Sequence, residues 1–126
     1  TEVSMNKFKN CCDCNIIHED KVMEVKNNMI DKDILLEVKN FFKIIGDETR
    51  VKILFALDKS ELCVCDIANI LNMSKSSISH QLSFLKKNLI IKSKKVGKEV
   101  IYSLCDNHIK DVFEVALNHV SEKRLR

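Results

Sequence analysis

The scarcity of residues that interrupt regular structure constrains the fold of this chain most strongly. No proline occurs in its 126 residues, and glycine occurs only at positions 46 and 97. Proline and glycine are the residues that most often end helices and mark tight turns. Apolar residues make up 45% of the chain, enough for a packed core. We therefore expect one mostly helical domain, in agreement with the chain length.

Two segments with helical spacing precede the middle of the chain. Residues 31–45 form the first, and Gly46 follows it, as glycine commonly does at a helix C-terminus. Asp47 then caps a second helix, since its carboxylate can accept a hydrogen bond from a free amide of the first turn. The apolar side of this second helix is formed by Val51, Leu54, Phe55 and Leu57.

Residues 61–90 have the pattern of a helix-turn-helix. Asp66 can cap a short first helix, and Ser74 can cap the second. The turn between them falls at Asn72 and Met73. The expected core face of the first helix consists of Ile67, Ile70 and Leu71. In the second helix one face holds Ile78, Leu82, Leu85 and Leu89.

A hairpin and a final helix complete the pattern. Residues 90–94 and 99–104 are typical of two strands joined through residues 95–98, and a last amphipathic helix starts near Asp106. This order predicts a winged helix-turn-helix, a mainly α fold with a small β-hairpin wing. Apolar stripes on the first and last helices exceed what so small a core can use. We therefore expect a homodimer formed through the N- and C-terminal helices.

Residues 1–30 have weak periodicity, mixed charge and three clustered cysteines. We expect them to form an N-terminal arm, partly helical from about His18, before a DNA-binding and dimerisation domain of residues 31–126. No apolar run approaches the length of a membrane span, and the first residues do not resemble a secretory signal. A cytoplasmic protein with no membrane partner is therefore expected.

Positive charge is concentrated in the helix-turn-helix and the wing. The net charge is +3, but residues 67–98 contain seven lysines and no acidic residue, which leaves −4 for the rest. Such a surface suits phosphate contacts, although a solvated lysine-rich face is the alternative. Short polar side chains early in a helix can reach base edges. The candidate contacts with double-stranded DNA are Lys75, Ser76, Ser77, Ser79, His80 and Gln81 in the helix and Lys94, Lys95 and Lys98 in the wing.

Two cysteines stand one residue apart at the start of the helix-turn-helix. On a regular helix Cys63 and Cys65 would differ by about 200° of rotation, so convergence on one metal ion needs a helix start or an irregular backbone. Asp66 marks such a start. Two small buried residues are the alternative interpretation, because free cysteine is often buried.

Cys11, Cys12 and Cys14 of the arm have no core to join. Cysteines in a reducing cytoplasm favour metal binding over structural disulfides. Two arm thiolates added to the Cys63 and Cys65 pair complete a four-sulfur site for cadmium, lead, copper(I) or zinc. Three arm thiols are present for two positions, and oxidation to a disulfide or sulfenic acid is the competing use. Cys105 has no obvious partner.

A second metal-binding pattern lies in the last helix. His108 and His119 share a face but stand about 16 Å apart along the axis, too far to bind one ion. If two such helices pair antiparallel in a dimer, His108 of one chain approaches His119 of the other. The four side chains then form a set of nitrogen and oxygen ligands that suits zinc: Asp106 and His108 from one chain with His119 and Glu122 from the other. A dimer would contain two such sites. A solvated helix edge is the alternative.

No nucleophile–base arrangement or cofactor loop stands out, so an enzyme with a small-molecule substrate is not expected. Three other hypotheses use the same residues. One is a metal-responsive repressor, another is a thiol-oxidation sensor on the same scaffold, and the last is a zinc-stabilised interaction module or metal buffer. The lysine-rich helix-turn-helix argues against the buffer, and the Asp/His/His/Glu set favours metal sensing over purely redox sensing.

These motifs together resemble the ArsR/SmtB family of metal-sensing repressors, specifically its cadmium-responsive CadC branch. The stretches are GDETRVKILFAL (46–57), ELCVCDIANIL (61–71), SKSSISHQLSFLKK (74–87), GKEVIYSL (97–104) and the D-x-H and H-x-x-E patterns of the last helix. The ELCVCD stretch resembles the metal-binding box of the family. The others are typical of its winged-helix scaffold.

The resemblance implies a homodimer that binds operators of metal-resistance (efflux) genes and releases DNA when Cd(II), Pb(II) or Zn(II) binds. It assigns Cys63 and Cys65 to the box and the arm cysteines to the same soft-metal site across the dimer. It assigns a Zn(II) site in the C-terminal helix pair to Asp106, His108, His119 and Glu122. The branch typically spaces two arm cysteines four apart, whereas this chain has CCDC. Which arm thiols bind, and whether three or four sulfurs coordinate, stays open.

Overall fold

The computed structural model of the chain describes residues 18–125. In chain order its elements are α1 (Glu19–Asn27), α2 (Lys32–Ile45), α3 (Glu48–Lys59), α4 (Val64–Leu71), α5 (Lys75–Lys87), β1 (Ile91–Val96), β2 (Glu99–Leu104) and α6 (Asn107–Arg124). The predicted order of helices, helix-turn-helix, wing and final helix is confirmed. Across this described part, none of the helices combines the length and apolar character that a membrane span needs.

Backbone contacts divide the chain into two units, with the boundary between Glu37 and Val38, inside α2. In the first unit, α1 begins next to His18 as expected, and only Val22 among its residues is half-buried. The second unit holds the helix-turn-helix, the wing and α6. The division into an arm of residues 1–30 and a domain of residues 31–126 stays a prediction.

Short polar side chains fix where two helices of the second unit begin. The Asp47 carboxylate accepts a hydrogen bond from the backbone N–H of Arg50 at 3.2 Å, and the Ser74 hydroxyl accepts one from Ser77 at 3.0 Å. Each bond satisfies an amide that the first helical turn leaves without a partner. Both caps agree with the prediction from the sequence.

The start of α4 differs from the prediction. Its N-cap is Cys63, and Asp66 is the third residue of the helix. The Asp66 carboxylate accepts a hydrogen bond from the Cys63 N–H at 3.1 Å. The prediction of Asp66 as the cap was wrong because an acidic side chain can satisfy a free amide from inside the first turn as well as from the cap position.

Asn72 makes the turn between α4 and α5. Its backbone is left-handed, with φ of 57° and ψ of 49°, a conformation that asparagine tolerates better than most residues. The next amide, from Met73, donates to the carbonyl of Ala68 at 3.0 Å. This bond uses a carbonyl at the end of α4 and turns the chain toward α5.

A buried aliphatic cluster joins α3, α4, α5 and β1. Its largest fully buried side chains are Ile53, Ile67, Ile78, Leu82, Leu85, Ile90 and Ile91. Half-buried Phe41 of α2 and Ile109 and Phe113 of α6 pack against the cluster. Burying one such aliphatic side chain stabilises a fold by roughly 1.5–3 kcal/mol, so this cluster fixes α5 against its neighbours.

Four residues that the spacing assigned to the apolar faces of their helices are exposed in the structure. Their exposed fractions are 38% for Val51, 44% for Phe55, 58% for Ile70 and 73% for Leu89. Ile53, which was not assigned to the apolar side of α3, is fully buried. Leu89 follows the end of α5 with φ of 60°, so helical spacing no longer applies to it.

The wing is a two-stranded antiparallel hairpin in which β1 and β2 pair over their whole length. β2 has the predicted bounds, but β1 continues to Val96, two residues beyond its predicted end, so Gly97 and Lys98 alone connect the strands instead of residues 95–98. Gly97 has φ of 64°, which glycine adopts without the steric cost that a Cβ atom causes. The tight connection therefore depends on one of the only two glycines in the chain.

We predict that Leu82→Ala lowers the free energy of unfolding by roughly 2–5 kcal/mol, because it leaves a cavity in the buried cluster. The adjacent, exposed Ser83 supplies the matched control, and Ser83→Ala should change that free energy by less than about 0.5 kcal/mol. Urea denaturation followed by circular dichroism measures both. Equal losses in the two variants would contradict this packing of α5.

Candidate metal centre and nucleic-acid interface

The cysteine pair lies where α4 begins. Cys63 is the N-cap, with an extended backbone at φ of −93° and ψ of 173°, and Cys65 is the second residue of the helix. Cys63 is half-buried, and Cys65 is exposed. The pair therefore spans the irregular backbone of a helix start, which convergence on one ion requires. Since neither residue is buried, the interpretation as two core cysteines is disfavoured.

The described residues supply only part of a thiolate centre. Within residues 18–125, no group of three or more His, Cys, Asp and Glu side chains is arranged to hold a metal ion. Cys11, Cys12 and Cys14 lie outside the described residues. The N-terminus of a helix favours negative charge. Accessible thiols at this position therefore suit binding, as thiolates, to a soft metal ion. A complete centre needs further ligands from outside residues 18–125 or from a second chain.

Backbone hydrogen bonds join the residue before the cysteine pair to the wing. Leu62, immediately before Cys63, forms an antiparallel bridge with Tyr102 of β2. The N–H of Leu62 donates to the Tyr102 carbonyl at 3.1 Å, and the N–H of Tyr102 donates to the Leu62 carbonyl at 2.7 Å. The Glu61 carboxylate also lies 3.4 Å from Nζ of Lys94 in β1. The backbone at Cys63 is therefore one residue from a direct contact with the wing.

Asp106 caps α6 and lies beside His108. Its Oδ1 accepts a hydrogen bond from the Ile109 N–H at 3.1 Å, and its Oδ2 lies 3.6 Å from Nδ1 of His108. The hydrogen bond from Ile109 is the main cause that lowers the pKa of Asp106 below its usual value, and His108 lowers it further. Asp106 and His108 thus form an exposed carboxylate–imidazole pair at the start of α6.

His119 and Glu122 are exposed further along α6. Eleven helical positions separate His108 from His119, which corresponds to about 16 Å along the axis. One chain therefore brings together Asp106 and His108 but not all four predicted nitrogen and oxygen ligands. The fit to a tetrahedral zinc site requires α6 of a second copy.

An ion pair holds α6 against α3. Nζ of Lys110 lies 2.8 Å from Oδ1 of Asp58, whose side chain is only 3% exposed, and 3.2 Å from Glu114. The hydrogen bond to Asp58 is the main cause that raises the pKa of Lys110 above its usual value. An unpaired buried carboxylate would be destabilising, so Lys110 is needed where α6 covers Asp58. No sequence pattern indicated this pair, because its residues are 52 positions apart.

The outer side of α5 carries the predicted DNA contacts, because its apolar side is used by the buried cluster. The exposed members are Lys75, Ser76, Ser79 and His80 on α5 and Lys94, Lys95 and Lys98 on the wing. Ser77 is half-buried, and its N–H is used by the Ser74 cap. Gln81 is also half-buried. Exposure therefore differs among the predicted contacts, and these two are partly enclosed by the protein.

Arg50 contacts α5 from α3, and no motif in the sequence singles it out. Its Nε donates a hydrogen bond to Oε1 of Gln81 at 3.1 Å. Its Nη1 donates to the carbonyl of Ile44 at 3.2 Å, and its guanidinium carbon lies 4.3 Å from the centroid of the Phe84 ring. A partly buried arginine thus joins the C-terminal turn of α2 to the helix that is predicted to read DNA.

Comparison with known proteins agrees with this arrangement. The family model of bacterial regulatory proteins of the arsR family matches residues 47–93. A cadmium resistance transcriptional regulatory protein CadC homolog from Staphylococcus aureus is 44% identical over 115 residues, which cover 90% of this chain and 94% of that protein. A transcriptional repressor SmtB homolog from Synechocystis is 32% identical over 126 residues, which cover 94% of this chain and 96% of that protein.

Similarity extends to solved structures. The crystal structure of the AntR antimony-specific transcriptional repressor superposes with a TM-score of 0.71 and 28% sequence identity, covering 79% of this chain and 90% of that one. The segment matched by the arsR family model, residues 47–93, begins at the Asp47 cap of α3 and ends within β1. It therefore contains the cysteine pair and the helix-turn-helix. The chain belongs to the ArsR family, and it is a DNA-binding transcriptional regulator of winged helix-turn-helix fold rather than an enzyme.

Proposed function

We propose that this chain is a metal-responsive repressor whose metal-free homodimer binds operator DNA and releases it when Cd(II), Pb(II) or Zn(II) binds. The genes it controls would then be metal-resistance (efflux) genes. The observation that carries the proposal is the position of Cys63, which caps the first helix of the helix-turn-helix and follows the residue that is bonded to the wing. The Staphylococcus aureus relative, named for cadmium resistance, supports the choice of ion.

DNA binding is assigned to the outer side of α5 and to the wing. Ser76, Ser79 and His80 can reach base edges in the major groove, whereas Lys95 and Lys98 suit phosphate contacts. Lys94 can serve the same role when its exposed pair with Glu61 opens, since such surface pairs are weak. A cytoplasmic location follows from this proposal, because operator DNA lies there.

The homodimer is inferred from apolar surface that one chain leaves uncovered. An apolar groove of about 910 Å³ lies along α3 and α6, and Phe55, Ile70 and Val120 are among its lining residues. On α6 itself, Val115 is 66% exposed and Val120 is 52% exposed. A contiguous apolar surface of this kind marks a protein–protein interface. A second copy that covers α6 would also provide the partner helix that the Asp106 and His108 pair needs.

The thiolate site is proposed to use Cys63 and Cys65 together with thiolates of Cys11, Cys12 and Cys14. Soft sulfur ligands select cadmium, lead or zinc over hard ions such as magnesium. Three or four sulfurs are compatible with the number of thiols in the chain. The same accessible thiols also suit oxidation, so a redox sensor on this scaffold is the second candidate function.

Release of DNA requires that the ion binds the DNA-free state more tightly than the DNA-bound state. Coordination by Cys63 restricts the backbone at the start of α4. Leu62 passes that restriction to Tyr102 through two hydrogen bonds, and Tyr102 lies in the wing. The wing and α4 would therefore change position together. We propose this bridge as the connection between the thiolates and the DNA-contacting surface.

The second proposed site binds Zn(II) between two α6 helices. Asp106 and His108 of one chain would join His119 of the partner subunit and Glu122 of the partner subunit. The two carboxylate oxygens of Asp106 have different roles: Oδ1 accepts the capping hydrogen bond from the Ile109 N–H, and Oδ2 lies beside His108, where the proposed zinc site needs an oxygen ligand. The carboxylate would thus hold α6 together and contribute to the metal site at once.

We predict that cadmium lowers the affinity of the wild-type protein for DNA at least about fivefold, a typical coupling between two sites, and that Cys63→Ser removes this effect. Cys105→Ser is the matched control and should respond like the wild type, since Cys105 lies outside the proposed site. His119→Ala should also keep the cadmium response. Fluorescence anisotropy of a palindromic duplex selected by the metal-free protein measures all four.

Two outcomes would separate the alternatives. If cadmium leaves the DNA affinity unchanged while hydrogen peroxide abolishes it, the thiol-oxidation sensor replaces the metal sensor. If the metal-free protein binds cadmium but selects no DNA sequence, the metal buffer is the correct function.

The bridge to the wing gives a separate prediction. Leu62→Pro removes the N–H that donates to Tyr102, and so cadmium should still bind but should release DNA less completely. Leu62→Val keeps that N–H and controls for the smaller side chain. Anisotropy reports release, and the ultraviolet absorption of cadmium–thiolate bonds reports binding. Full release by Leu62→Pro at saturating cadmium would show that the bridge does not couple the two sites.

A further inference from the structure

We propose that Arg50 is a positioning residue for DNA reading, and that it turns the amide of Gln81 so that α5 offers a hydrogen-bond donor to a base edge. Arg50 itself need not contact DNA. The inference rests on the proposed reading of DNA by α5. It goes further by naming the residue that sets which chemical group Gln81 presents.

Three contacts hold the guanidinium of Arg50 in one place. Nε donates to Oε1 of Gln81, Nη1 donates to the Ile44 carbonyl, and the group lies over the ring of Phe84 at 4.3 Å. Both Gln81 and Phe84 belong to α5, whereas Ile44 belongs to the last turn of α2. The hydrogen bonds to Gln81 and Ile44 are partly buried, so water competes with them less than at the surface.

The chemistry of arginine fixes the orientation of the Gln81 amide. A guanidinium has only donors, so the atom that faces it must be the amide oxygen. The oxygen is therefore directed at the protein, and the NH2 group is left for other partners. Glutamine usually reads adenine by accepting from N6 and donating to N7. A glutamine with its oxygen held in this way instead suits acceptors, such as N7 or O6 of guanine and O4 of thymine.

Arg50 also holds α5 against the last turn of α2. The planar fork of arginine forms two hydrogen bonds in fixed directions, and lysine cannot reproduce that geometry. Loss of Arg50 should consequently change which bases are preferred, in addition to lowering the affinity. An arginine that only stabilised the fold would lower the fraction of folded protein without changing the preferred sequence.

The test is selection from a pool of duplexes with a randomised central segment by the full-length protein. Arg50→Met should alter the preferred base at the position read by Gln81 and lower the affinity for the wild-type site about tenfold. Gln81→Ala should alter the same position, and adding Arg50→Met to Gln81→Ala should not change the base preferred at that position any further. Arg50→Lys should restore part of the affinity, because one donor to Gln81 remains.

Lys43→Met is the matched control. Lys43 is an exposed lysine in the last turn of α2, and it is not among the residues that line the groove along α3 and α6. This variant should keep the wild-type preference and affinity. The salt dependence of DNA binding should stay the same in all the variants, since the wing lysines are unchanged.

The proposal is overturned if Arg50→Met and Gln81→Ala keep the wild-type base preference. It is also overturned if Arg50→Met weakens binding to every sequence equally. If Arg50→Met unfolds, Gln81→Ala can still overturn the proposal, because Gln81 is half-exposed and its removal leaves the core intact. An unchanged base preference in Gln81→Ala would do so, and Arg50→Lys then tests the orienting role of Arg50. If the wild-type protein enriches no sequence at all, the proposed repressor function itself fails, which is a distinguishable result.

Discussion

The burial of aliphatic side chains between α3, α4, α5 and β1 is the constraint on which the rest of this structure depends. Ile53, Ile67, Leu82 and Ile91 are each almost completely removed from solvent. Because this cluster uses one side of α5, only the opposite side is available for DNA, and that side is polar and free of acidic residues. The same packing fixes the start of α4, where Cys63 lies. Close-packed interiors change between discrete arrangements rather than deforming gradually, so a displacement of α4 is expected to reach α5.

Three polar connections attach the outer elements to this cluster. The bridge of Leu62 joins the cysteine pair to the wing, Arg50 joins α2 to α5, and the pair of Lys110 with Asp58 joins α3 to α6. Each is partly or largely protected from water, which makes its loss more costly than the loss of a surface contact. The cysteine pair of α4, the surface proposed to contact DNA and the helix proposed to dimerise are therefore all connected through one core. That arrangement suits a protein in which one ligand controls the affinity for another.

Local patterns were enough to predict much of the fold. The helix starts at Asp47 and Ser74 followed from capping residues, because a cap interacts with amides only a few positions away. The start of α4 was predicted less well, since the acidic residue that marks it lies inside the first turn. The contact of Arg50 with Gln81 spans 31 positions, and no helical or strand period relates such residues. The spacing in α3 identifies apolar residues, but it does not separate those in the core from those that line the groove.

Thermodynamic reciprocity provides the most direct test of the proposed connection between thiolates and DNA. If the ion lowers the affinity for DNA by some factor, DNA must lower the affinity for the ion by the same factor. The measurement is a cadmium titration of the protein, with a chelator competing for the ion, in the absence and in the presence of saturating operator duplex. The account predicts weaker cadmium binding by the DNA-bound protein, by the factor that anisotropy gives for DNA release. Equal cadmium affinities with and without DNA would contradict it.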